Sequence, residues 1–108
     1  MWSIYVGFQA ARPHCGQSAS DLDAAIDAAI PVIERRLIEI GEISAEAAQE
    51  YRAAEASMWQ KGAGFAEDQE AACQSANPTL WGLTPDQVGE TAAAVLAASP
   101  EMLSDDCI

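Results

Sequence analysis

Few side chains in this sequence are equipped for chemistry: one histidine, His14; three cysteines, Cys15, Cys73 and Cys107; one lysine, Lys61; and 17 carboxylates. Nucleophilic catalysis needs a nucleophile, a base and an orienting group within hydrogen-bond reach. Cys15 follows His14 directly, and neighbouring side chains usually diverge, so Cys73 is the thiol that folding would have to bring to the imidazole. Other acid–base work would fall to carboxylates, none of which is singled out by position. Gly62-Ala63-Gly64 is too short for a phosphate-cradling loop and follows no strand. His14, Cys15, Cys73 and Cys107 lack the short ligand pairs of a zinc site, and no calcium loop surrounds Asp105 and Asp106. The expectation is a protein without catalysis, cofactor or metal. A small enzyme using His14 and carboxylates is the weaker alternative.

The elements that would position these groups read as helices. Trp2, Tyr5, Val6 and Phe8 give residues 2–11 one aromatic face, ended by Pro13 and Gly16. Ser20 can cap the next helix, with Asp23 reaching back as in a capping box. Large apolar residues then fall at 22, 26, 30, 33, 37 and 40, one helical face. Pro31 removes a hydrogen bond and crowds the carbonyl of Asp27, which predicts a kink near 27–31. Gly41 is placed for a left-handed cap, and Ser44 starts a third helix with Ile43 as the outer half of a staple. Ala47, Tyr51, Ala54, Met58, Phe65, Gln69 and Ala72 form its expected inner face, with Trp59 beside it. Gly62 and Gly64 make a break as expected as continuation. Pro78 ends the helix by Asn77. Thr84-Pro85-Asp86-Gln87 is a complete helix start, staple residues Leu83 and Val88 included, and leads into the stripe Val88, Ala92, Val95. Pro100 opens a last short turn.

These elements predict one acidic domain over 1–108: an all-α bundle of about four helices around an antiparallel helical hairpin. Alanine is 23 of the 108 residues, so helix contacts should be thin and anchored by a few large side chains. Reversal at Gly41 sets the start of one long helix beside the end of the other. Cys15 and Cys73 then become disulfide candidates, with Cys107 outside the bridge. A Cys73–Cys107 bridge competes, and three reduced cysteines are the bland alternative.

The formal net charge is −12, without the basic stripe that nucleic-acid binding requires. No apolar run reaches membrane-spanning length. Residues 1–8 are hydrophobic but lack a basic leader and a cleavage site. A protein partner of basic character fits the charge, while the bland account is solubility. Trp2, Tyr5, Phe8 and Trp81 are the interaction candidates, because Trp and Tyr recur at binding hot spots. Homo-oligomerisation is expected if an alanine-rich face stays open.

From Cys73 to Leu103 the sequence resembles the last part of small periplasmic helical immunity proteins: a cysteine, a Thr-x-x-Gln helix start and a Pro-Glu turn. Trp81 followed by Thr84-Pro85-Asp86-Gln87 also resembles a motif of small phage tail-assembly chaperones. Each likeness covers under a third of the chain. They imply different compartments, so neither carries a function or a site residue across. The expected function is an accessory or inhibitory binding protein, periplasmic or secreted if a targeting segment has been removed. A cytoplasmic or phage-type assembly accessory is the alternative.

Overall fold

The structure, a computed structural model, describes residues 1–15, 20–61 and 69–102. They form an all-α bundle: α1 (Trp2–Ala11), α2 (Asp21–Glu39), α3 (Ala45–Lys61), α4 (Gln69–Ser75) and α5 (Pro85–Ala97), with 3-10 turns at Arg12–His14 and Pro100–Met102. No strand occurs among the described residues. Gly62, Gly64 and Phe65, where α3 was expected to break or continue, lie outside them, as do Asp105, Asp106 and Cys107.

The helix boundaries follow the capping chemistry. Ser20 Oγ accepts from Asp23 N at 3.2 Å, Ser44 Oγ from Ala47 N at 3.0 Å, and Thr84 Oγ1 from Gln87 N at 3.2 Å. Only the last is a full capping box, closed by Thr84 N donating to Gln87 Oε1 at 3.1 Å. The expected return bond from Asp23 is replaced: its carboxylate faces Arg12 instead. Gly41 adopts φ +79°. There Glu42 N donates to Leu37 O and Gly41 N to Ile38 O, which satisfies carbonyls that the end of α2 would leave bare. Residues 78–83 repeat the motif: Leu83 N donates to Pro78 O, Gly82 N to Thr79 O, and Gly82 has φ +75°.

α2 runs through Pro31 as one helix, with the proline exposed. Its reversal at Gly41 brings α3 back antiparallel. Glu34 and Arg52, each nine residues from Ile43, form an ion pair across the hairpin. The two arms are not each other's main support. α1 packs on both, and α5 lies along α2. The core accordingly combines Trp2, Tyr5, Val6 and Phe8 of α1, Ile26, Ile30, Ile33 and Leu37 of α2, and Val88, Ala92 and Val95 of α5.

One face was misread. The inner side of α3 carries Ala48 and Trp59, with Tyr51 and Glu55 partly covered, whereas Ala47, Ala54 and Met58 are exposed. The stripe is turned by about one residue. Alanines lie all round this helix, so they exert little torque. The indole of Trp59 and the ring of Tyr51 set its rotation, because they have far more area to remove from water.

Candidate functional site

Trp2, Tyr5 and Phe8 do not form a surface patch. Their exposures are 2%, 1% and 4%, because α1 is the helix on which both hairpin arms pack. In a chain so rich in alanine, these rings supply much of the volume that fills the centre. Trp2 contacts Tyr51 of α3, ring centroids 5.2 Å apart. Burial raises the Tyr51 phenol above its usual value of 10.0, and the charge and hydrogen bond of Glu55 add to this, against a hydrogen bond from Ser3.

Trp81 is the candidate that remains at the surface, 54% exposed beside Leu80 at 64%. The turn that carries it is built from its neighbours. Asn77 Oδ1 accepts from Thr79 N at 3.0 Å, Pro78 is buried, and Gly82 closes the turn in the left-handed region. The indole is held on two sides. Its Nε1–H donates to Ser75 O at 2.7 Å, and its ring meets Phe8 in a T-shaped contact at 5.4 Å. An aromatic surface held in this way loses little conformational freedom on binding.

Cys15 and Cys73 are brought together, their sulfurs at bonding distance and their Cα atoms 5.5 Å apart. The two sulfurs are joined to each other, so Cys73 offers His14 no thiolate. His14 is exposed and stacks on the buried Trp59 at 6.3 Å. Among the described residues no three His, Cys, Asp or Glu side chains gather as they would around a metal ion.

The arginines were given no role by sequence reasoning, yet they organise the electrostatics. Arg12 grips Asp27 with both terminal nitrogens, at 2.9 and 3.0 Å, while its Nε stands 3.4 Å from Asp23. Gln9 donates to the same Asp27 at 3.1 Å. The Arg12 hydrogen bond, helped by that of Gln9, holds the Asp27 carboxyl below its usual range against the opposing effect of burial. Arg36 donates to Ala98 O at 3.0 Å, fastening the end of α5 to α2, and Arg52 pairs with Glu34. Three of the four arginines thus point into helix junctions. Glu42 in the turn before α3, Glu46 and Glu50 in its first half, and Asp86 and Glu90 on α5 are exposed and outside those ion pairs. The outer face of α5 presents Gly89, Ala93, Leu96 and Ala97 to solvent. No described helix is long and apolar enough to cross a membrane. Against protein-family models, curated proteins and solved structures alike, the chain finds no match.

Proposed function

We propose that this is a small binding protein, accessory or inhibitory towards a basic protein partner, with Trp81 as its aromatic anchor. The observation that carries this reading is the division of charge. Arg12, Arg36 and Arg52 are turned into internal junctions, while Glu42, Glu46, Glu50, Asp86 and Glu90 stay exposed outside the ion pairs. Such a field speeds the encounter with a cationic surface. A half-exposed, immobilised indole next to Leu80 supplies the apolar contact that charge alone lacks. The Cys15–Cys73 pairing supports an oxidising compartment, periplasmic or secreted.

The test is capture of partners by the oxidised protein from its native source, repeated with Trp81→Ala and at rising salt. A basic protein that is retained, released by salt and lost with Trp81→Ala is the expected result. Retention of a neutral or acidic protein, indifferent to both changes, would refute the reading. The competing reading is self-association through the open, alanine-rich face of α5. Light scattering over a range of concentrations decides it, since a monomer throughout leaves that face without a second copy.

A further inference from the structure

α4 is the least anchored helix of the bundle. None of its side chains from Glu70 to Ser75 is buried, and it shares no extensive packing with another described helix. The hydrophobic core draws on α1, α2, α3 and α5 but on no residue of α4. Ala76, directly after it, packs partly buried against that core, and the bridge ties its middle covalently. Cys73 is bonded to Cys15, which directly follows the turn that Arg12 clamps onto α2. Two residues beyond Cys73, the carbonyl of Ser75 accepts the indole proton of Trp81. The 78–83 turn is seated separately, by buried Pro78 and by Leu83 against the core. The acceptor carbonyl therefore lies between the bridge and the Ala76 contact, while the donor sits on a turn seated by the core alone.

We infer that the Cys15–Cys73 bond is a redox control on the orientation of Trp81. This rests on the reading of Trp81 as the binding anchor for its functional meaning, but not for its test. A dithiol reductant drives the change. One of its thiolates attacks a bridge sulfur to give a mixed disulfide and expels the other cysteine as a thiolate. The second reductant thiol then displaces the remaining cysteine, and the reductant leaves as its own disulfide. Two electrons and two protons arrive at Cys15 and Cys73 as two thiols. α4 is then released from the Arg12 turn, the Ser75 carbonyl moves away, and the indole keeps only its contact with Phe8. The α1–α2–α5 core stays folded, because it uses nothing from α4.

The experiment follows the indole N–H resonances of the full 15N-labelled chain, oxidised and after dithiothreitol, with Cys73→Ser as a second route to the open form. The Trp81 signal is expected to move towards that of free tryptophan. Backbone amides of α4 should exchange at least tenfold faster, while Trp2 and the amides of α1, α2 and α5 keep their positions. Unchanged Trp81 and α4 signals would overturn the inference, and so would collapse of the whole spectrum, which would make the bridge a staple for the entire fold. No partner enters this measurement, so its outcome is separate from that of the capture experiment.

Discussion

Trp81 and Phe8 meet at 82° with ring centroids 5.4 Å apart, one ring half-exposed and the other 4% exposed. The pair carries the aromatic interior of α1 out to the surface at a single point. Substituting its two members should therefore separate binding from stability. Trp81→Ala is expected to cost about 1 kcal/mol of stability, an edge contact and one hydrogen bond. The same change should weaken partner binding by roughly 30-fold or more, as loss of a hot spot does. Phe8→Ala should cost about 3–5 kcal/mol. Urea denaturation and a binding titration on the same samples check both; equal stability losses would show that the ring of Trp81 is part of the core.

Three glycines allow a clean test of backbone conformation, since none has an atom within 4 Å of where a Cβ would stand. Gly41 and Gly82 lie at φ +79° and +75°, so alanine at either should cost about 1–2 kcal/mol from strain alone. Gly89 is inside α5 without positive φ, so Gly89→Ala should stabilise by up to about 1 kcal/mol. Thermal melts of the three variants should move in these opposite directions.

The Arg12–Asp27 pair sets an acid limit. Asp27 titrates below its usual 3.8, so its contribution is present at and above ordinary carboxylate values and disappears as pH falls through the lowered one. With the Asp27 side chain 41% exposed, solvent screening keeps that contribution to about 1 kcal/mol or less. Urea titrations of wild type and Asp27→Asn should differ more at pH 6 than at pH 2. A gap of the same size at both pH values would mean that the charge does not matter.

Arg36→Met should release the end of α5 from α2, because the guanidinium is what holds the Ala98 carbonyl. A cost of about 1–2 kcal/mol is expected. Hydrogen exchange should quicken at residues 95–98 while Val88 stays protected, and uniform protection along α5 would count against the role given to Arg36.

Where the fold was legible, local chemistry decided it. Ser20, Ser44 and Thr84 each carry an oxygen that fits a helix start, Gly41 can take a positive φ without a Cβ clash, and the steps from Leu22 to Leu37 fit a single helical face. Cys15 and Cys73 followed from the reversal that Gly41 makes. Two things were not legible. Which side of α3 faces inward depends on Tyr51 and Trp59 finding room against α1, a tertiary fact that an alanine pattern does not encode. The burial of Trp2, Tyr5 and Phe8 follows from α1 lying against both hairpin arms, and nothing in its own ten residues distinguishes a central helix from an exposed aromatic one. The inward arginines were hidden for a related reason: Arg12 and Asp27 become partners only once α1 and α2 are side by side.

The bridge also divides the molecule mechanically. Its two cysteines are 58 residues apart, and α5 lies beyond them while packing on α2 within the closed loop. Tension applied through the chain on either side of the bridge bypasses α2, α3 and α4, and reaches α5 as a peeling load along α2. In a single-molecule pulling experiment the oxidised chain should extend about 200 Å less than the reduced one, with α5 detaching first and the hairpin left unstretched.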